Sequence, residues 1–392
     1  MKPFFELQHI DKTSGTRAGI MHTDHGDIPT PVFMPVGTQA TVKALDSADL
    51  EMLAPPVILA NTYHLYLRPG ENLIAQLGGL HQFMNWHHPI LTDSGGFQVL
   101  SLGSGVKEST QEPLLKIDDD GVTFRSHLDG SEHRFTAESS IEIQHKLGAD
   151  IIMAFDEPVA DSAPEDYKRL AMKRTHAWAA RSLEYHRAHK GPHNHQQFLF
   201  GIIQGSTSRE LREESARFIT SLPFDGVALG GETTGFNMEM TRTLLTWLQP
   251  LLPENKPRYT MGVGFSPFDL YDTVAGGVDM FDCVAPTRVA RNGTLYITPR
   301  HHPDFTQDVN PRDFYRINIT NARFKNDTSP IDPSCTCHTC KNYTRAYINH
   351  LFNAGELTAF RLATLHNVHV MLEFCHRMRE AIFEDTFSSL MK

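Results

Sequence analysis

Short apolar runs that stop at a polar residue or glycine recur along the chain, each followed by a longer amphipathic stretch. The runs are Val32 to Val36, Val57 to Ala60 ending at Asn61, Ile90 to Leu91 ending at Asp93, and Ile151 to Phe155 ending at Asp156. Four more are Phe198 to Ile203 ending at Gln204, Val227 to Gly231, Tyr259 to Gly264, and Met280 to Val284 around Asp282. Between them the 3.6-residue period predicts helices over Asn72 to Met84, Pro164 to His189, Ser208 to Leu222 and Asn237 to Leu252. Eight strand-like runs alternating with helices call for parallel pairing, and the expected fold class is α/β, a (β/α)8 TIM barrel. A doubly wound open sheet is the structural alternative. In a barrel, chemistry gathers at the C-terminal ends of the strands, which is where Asp93, Asp156, Gln204, Gly231, Gly262 and Asp282 fall.

Two stretches break the rhythm. Leu114 to Phe135 alternates around Asp120-Gly121 and Asp129-Gly130 and reads as a β-meander inserted after the third strand. Thr298 to Lys341 is rich in Pro, Asn and Asp, and needs something other than an apolar core to hold it. Cys335, Cys337 and Cys340 offer that support: three of the five cysteines fall within six residues. In a reducing compartment such a cluster is a soft-metal site rather than a disulfide, and thiolates with one histidine suit a closed, structural zinc site. Spacing leaves His338, His350, His366 and His369 as candidates for the fourth ligand. Cys283 and Cys375 sit in apolar runs and read as core residues.

Composition narrows the class. The 392 residues are 40% hydrophobic and 21% charged, which excludes a disordered chain, a collagen-like repeat or a small disulfide scaffold. No apolar run approaches the roughly 18 residues of a membrane span, and Met1 to Lys12 lacks the apolar core of a signal peptide, so a cytoplasmic protein is expected. The formal charge of −10 argues against nucleic acid as a partner when taken globally. It is unevenly spread, however. From Pro286 to His350 there are nine basic and five acidic residues, a local +4 that leaves −14 for the remainder.

Several motifs follow one another along the chain: Phe33-Met34-Pro35-Val36-Gly37-Thr38, Asn61-Thr62-Tyr63-His64-Leu65, Thr92-Asp93-Ser94-Gly95-Gly96-Phe97-Gln98, Phe155-Asp156-Glu157 and Ile203-Gln204-Gly205. They continue through Met261-Gly262-Val263-Gly264, Met280-Phe281-Asp282-Cys283, Pro286-Thr287-Arg288 and the cysteine cluster. With its motifs in this order the chain resembles tRNA-guanine transglycosylases. The resemblance implies an irregular barrel at 1–297 with the meander near 113–136, a zinc-binding subdomain at 298–345 and a closing helical segment at 346–392. It also implies a homodimer, and it points to His366, in Thr364-Leu365-His366-Asn367, as the fourth zinc ligand. The implied reaction replaces the wobble guanine of GUN-anticodon tRNAs (Tyr, His, Asn, Asp) with a 7-deazaguanine.

Exchange of a base with retention at the anomeric carbon requires two displacements through a covalent ribosyl ester, plus a group that moves protons on and off the bases. By resemblance Asp282 is the nucleophile and Asp93 the acid/base partner. Asp156 takes the donors of the base, Gln204 and the Gly231 backbone reach its acceptors, and Phe97 and Met261, with Gly262 adjacent, sandwich the ring. Arg288 and Arg291 grip tRNA phosphates. The chain departs from bacterial relatives in having Pro158 after Phe155-Asp156-Glu157 where they carry Cys. It also has Glu232-Thr233-Thr234-Gly235-Phe236 where they carry Leu-Ala-Val-Gly-Glu. The favoured incoming base is 7-aminomethyl-7-deazaguanine, with the Glu232 carboxylate pairing its ammonium; queuine is the alternative. A non-catalytic RNA-holding subunit would lack Asp93 and Asp282. A metal-dependent barrel hydrolase would need histidines at strand ends, and His64 alone reads as structural.

Overall fold

Eight parallel strands closing on themselves account for the core of the protein, in a computed structural model that describes residues 2–103, 115–231 and 234–391. In chain order the later strands are Ile58–Ala60, Ile90–Thr92, Ile151–Met153, Phe198–Ile203, Gly226–Leu229, Arg258–Thr260 and Met280–Asp282. The first is split into Val32–Met34 and Val36–Gly37, because Pro35 has no N–H to donate to a ladder. Its two halves do different jobs. Val32–Met34 pairs with Met280–Asp282 and Val36–Gly37 pairs with Ile58–Ala60, so the interrupted strand closes the barrel; the Leu59 N–H still reaches the Pro35 carbonyl at 3.0 Å.

Alternation along each strand sorts side chains into two layers. Met34, Leu59, Leu91, Ile151, Met153, Phe200, Ile202, Ala228, Tyr259 and Met280 fill the barrel interior. Phe33, Ile58, Ile90, Ile152, Leu199 and Phe281 face outward into the helix layer. The same period continues past the strand ends: Asn61, Asp93, Gln204, Met261 and Asp282 each lie two positions beyond an interior residue. Strand periodicity therefore aims them at the barrel axis on its C-terminal face.

The helices follow the expected pattern, with one correction. Glu165–Ala188, Arg209–Ser221 and Met238–Leu248 form, the latter two starting from side-chain caps Ser208 and Asn237. The expected helix over Asn72 to Met84 is instead two, Glu71–Gln76 and Gly79–Met84, because Gly78 (φ 89°) and Gly79 (φ 83°) take left-handed conformations that end one and start the next. An antiparallel sheet of Leu115–Ile117, Gly121–Arg125 and Glu132–Thr136 lies between the third and fourth strands. After the eighth strand come the short helix Ala285–Arg291, a two-stranded ribbon of Thr294–Tyr296 and Arg316–Asn318, and the 27-residue helix Leu357–Phe383.

A three-stranded N-terminal sheet, Phe5–Ile10, Arg17–Thr23 and Gly26–Pro29, covers the opposite end of the barrel. It is fastened by buried charge. Arg17 Nε donates to Asp279 Oδ1 at 2.9 Å, and Asp150 receives His25 Nδ1 at 2.7 Å, His81 Nε2 at 3.1 Å and the Ile90 N–H at 2.9 Å. Its imidazole partners hold Asp150 well below the usual carboxylate range despite burial, while the Asp150 hydrogen bond raises His25 above 6.5. A depressed Asp150 stabilises the fold above about pH 4 and loses that contribution on acidification. A raised His25 stabilises it below about pH 6.5 and loses that contribution as pH climbs through its folded value. The stability lost in Asp150→Asn, roughly 3 kcal/mol by denaturant titration, is expected to be largest between these limits and smaller at pH 8. A pH-independent loss would contradict the linkage.

Candidate active site and metal centre

Three aspartates meet at the C-terminal mouth of the barrel, Asp93 and Asp156 buried and Asp282 half-buried, and neutral donors hold each of them. Asp93, just past the third strand, receives the Thr62 N–H at 2.9 Å on Oδ1 and the Asn61 side-chain amide on Oδ2. Asn61 is fixed in turn, its Oδ1 capping helix Thr62–Leu67 by accepting the His64 N–H. Burial, then the charges of Asp282 and Asp156, push Asp93 up to about 7, against the lowering effect of the Thr62 and Gly95 N–H groups.

Asp282 ends the eighth strand. Its Oδ1 accepts both the Tyr259 hydroxyl at 2.6 Å and the Gly262 N–H at 3.0 Å. It does not cap the helix that follows, where Val284 occupies the N-cap position without a side-chain bond. Burial raises its pKa while these two donors pull it down. Tyr259 is fully buried on the inner wall and is driven far from ionisation, so its hydroxyl stays a donor.

Asp156 lies beside them. Ser94 Oγ donates to Oδ1 at 2.9 Å and Gln204 Nε2 to Oδ2 at 2.7 Å, and burial raises the pair-bonded carboxyl to about 6. Gly96 is required here, since a Cβ at that position would sit 2.6 Å from the Asp156 carbonyl oxygen. Gly231 (φ 125°) follows the sixth strand next to Gln204. Phe97 leaves 52% of its surface exposed and Met261 is half-buried, so both offer apolar area at the mouth. Arg288 is exposed on helix Ala285–Arg291, whereas half-buried Arg291 turns back to the Thr287 carbonyl at 2.8 Å. Glu232 and Thr233 lie outside the described residues.

In the sequence Asn61 and Thr62 stand at a strand end and in a motif of the resemblance with no role attached, and Tyr259 only opens an apolar run. Their partners are 23 to 32 positions away, so local pattern carries no signal for their role. Glu157 is also buried, but it faces away from the aspartates, taking the Tyr167 hydroxyl at 2.7 Å and Arg174 at 3.4 Å.

Cys335, Cys337, Cys340 and His366 bring their ligand atoms within 4.8 Å of one another and could hold a metal ion. His366 Nδ1 lies 3.7, 3.5 and 3.3 Å from the three sulfurs in that order. The other ring nitrogen, Nε2, meets the Tyr296 carbonyl at 2.7 Å, which leaves the Nδ1 lone pair for the metal. Asn367 continues the tie: its Oδ1 accepts the Tyr296 N–H, and its Nδ2 donates to the Pro286 and Thr294 carbonyls. The cluster thus pins the long helix and the ribbon to the segment directly after Asp282. Purified protein is expected to carry one equivalent of metal by elemental analysis. Cys340→Ser should lose it with a fall in Tm, and an unchanged metal content would exclude this ligand set.

The relationships of the chain accord with this geometry. Residues 11–392 match the family model described as queuine tRNA-ribosyltransferase. Curated proteins of that name are similar along nearly their full lengths. The one from Herpetosiphon aurantiacus is 50% identical over 387 residues (99% of this chain and 90% of the relative), and the one from Moorella thermoacetica 49% identical over 380 residues (97% and 94%). The one from Lactococcus lactis is 48% identical over 381 residues (97% and 92%). A family match spanning nearly the whole chain, on a barrel with three aspartates at its C-terminal mouth, places this protein in the queuine tRNA-ribosyltransferase family.

Proposed function

We infer that the chain is a tRNA-guanine transglycosylase, a pentosyltransferase that exchanges the wobble guanine of tRNAs with GUN anticodons for a 7-deazaguanine. The observation that carries the mechanism is the unequal environment of Asp282 and Asp93. Both bonds to Asp282 fall on Oδ1, so Oδ2 is the oxygen available to attack the anomeric carbon, and the Tyr259 and Gly262 donors favour the ionised form that attack needs. Asp93, raised to about 7, holds a proton at neutral pH that it can give to the departing guanine. The C–N bond breaks as the C–O ester bond forms. The incoming base then returns a proton to Asp93 and displaces the Asp282 carboxylate, and the second inversion restores the original configuration.

The base is read by the same wall. Each oxygen of Asp156 has a second lone pair for the N1 and exocyclic-amine donors of a guanine-like ring. Gln204 and the Gly231 backbone reach O6 and N7, and the ring lies between Phe97 and Met261 beside Gly262. Arg288 and Arg291 open the basic segment and contact phosphates of a splayed anticodon loop.

The metal in this reading is zinc. Bonds of about 2.3 Å to sulfur and about 2.0 Å to nitrogen in a tetrahedron set S···N separations near 3.5 Å, and the three separations of 3.3 to 3.7 Å bracket that value. Four protein ligands close the shell, so the ion staples residues 298–345 as a platform next to the nucleophile while 346–392 close the barrel 1–297. A homodimer is supported by Met52 and Leu357, both more than half exposed, on helices joined by the Arg361 and Asp49 pair. Cytoplasmic location follows from a tRNA substrate. Among the described residues no helix is long and apolar enough to cross a membrane.

The assay is incorporation of labelled guanine into unmodified tRNA. Asp282→Asn and Asp93→Asn should each lower exchange by on the order of 10³-fold or more with the fold retained. Because Asp93 acts as an acid in the first step, single-turnover guanine release should fall as pH rises through about 7, and that dependence should vanish in Asp93→Asn. Exchange persisting in Asp282→Asn would overturn the reading. With Glu232 supplying a carboxylate, 7-aminomethyl-7-deazaguanine should be the better incoming base; faster incorporation of queuine would reassign the base but leave the reaction intact.

A further inference from the structure

Arg212 is the feature near the pocket that these roles leave unexplained. It sits in the first turn of helix Arg209–Ser221, only 1% exposed, and among the described residues it forms no ion pair. Its fork reaches backbone instead. Nε donates to the Ser206 carbonyl at 2.7 Å and Nη1 to the Ile203 carbonyl at 3.0 Å, so the guanidinium takes the carbonyls on both sides of Gln204. That span is unusual backbone: Gly205 has φ 132°, Ser206 has φ 49°, and a Cβ on Gly205 would come within 2.7 Å of the Arg212 backbone nitrogen. The third corner of the fork, Nη2, is buried without a hydrogen-bond partner and lies against Gly231, where an added Cβ would be 2.6 Å away.

We propose that Arg212 is a positioning residue of the base pocket, setting the Gln204 amide against Asp156 and backing Gly231 with the same planar cation. The inference rests on the proposed exchange reaction. A guanidinium with no carboxylate partner at ion-pair distance, buried, is a costly group to keep for fold stability alone, since burial of a charge is unfavourable unless it is paired. Burial lowers the Arg212 pKa to about 10, with the field of Asp161 opposing, so it remains charged at neutral pH. The geometry needs the fork rather than the charge: two N–H vectors converge on carbonyls three residues apart while the third edge meets the next strand's loop. Lysine supplies a point charge without that plane. The consequence reaches the reacting base through Gln204 Nε2, which lies 2.7 Å from Asp156 Oδ2, and through the Gly231 backbone.

The test is steady-state exchange by Arg212→Lys, with Arg212→Gln as the second variant, following KM for guanine and KM for tRNA separately. The expected result is a rise of about tenfold in KM for guanine, the size of one lost charge-assisted hydrogen bond, with KM for tRNA within twofold of wild type and metal content unchanged. Equal shifts in both KM values, an unchanged KM for guanine, or loss of the folded protein in both variants would overturn the proposal in favour of a purely structural anchor. Absence of exchange by wild-type protein would instead refute the reaction on which it rests.

Discussion

Three carboxyl groups, two buried and one half-buried, crowd one end of a barrel, and the rest of the site is the means of keeping them there. Burial alone drives each toward protonation, and mutual charge drives Asp93 further. The holding groups are neutral and directional: the Thr62 N–H and Asn61 amide at Asp93, Ser94 and Gln204 at Asp156, Tyr259 and the Gly262 N–H at Asp282. Neutral donors orient a carboxylate without cancelling its charge. In the proposed reaction, three aspartates of one type are thereby separated into an acid near neutrality, a carboxylate with one open oxygen, and a base-reading acceptor.

The architecture supplies what that arrangement requires. A parallel barrel turns every strand's C-terminal end to one face, and alternation along the strand aims the second residue past each interior position at the axis. At the far end Arg17, Asp279, His25, His81 and Asp150 bind the N-terminal sheet across the opening, which closes the barrel away from the chemistry. The Cys335, Cys337, Cys340 and His366 cluster does the equivalent for the segment after Asp282. Through Tyr296 and Asn367 it ties the long helix to Pro286, four residues from the proposed nucleophile.

Much of this was legible in the chain because barrel strands punctuate it. All eight runs form strands, and the apolar pattern alone puts Asp93, Gln204 and Asp282 at strand ends. Global charge was a poor guide, because the +4 of Pro286 to His350 disappears inside −10. Pattern failed where the deciding feature was not periodic. Pro35 splits a continuous apolar run through its missing N–H, and Gly78-Gly79 divides an amphipathic helix. Spacing left four histidines open for the metal; the chain brings His366 to the sulfurs from a helix 26 positions beyond Cys340, although His338 is nearer in sequence. Arg212 carried no signal at all, since a surface-like helical pattern conceals a side chain folded inward onto two carbonyls.

The central claim is that Asp282 carries the ribosyl group between departure of one base and arrival of the next. The most direct measurement is to incubate the protein with tRNA and a base analogue that cannot complete the second displacement, denature, and locate the cross-linked nucleotide by mass spectrometry. The account predicts a ribosyl ester on Asp282 that is absent in Asp282→Asn and retained in Glu157→Gln. An adduct that survives Asp282→Asn, or that maps to Asp93, would contradict it.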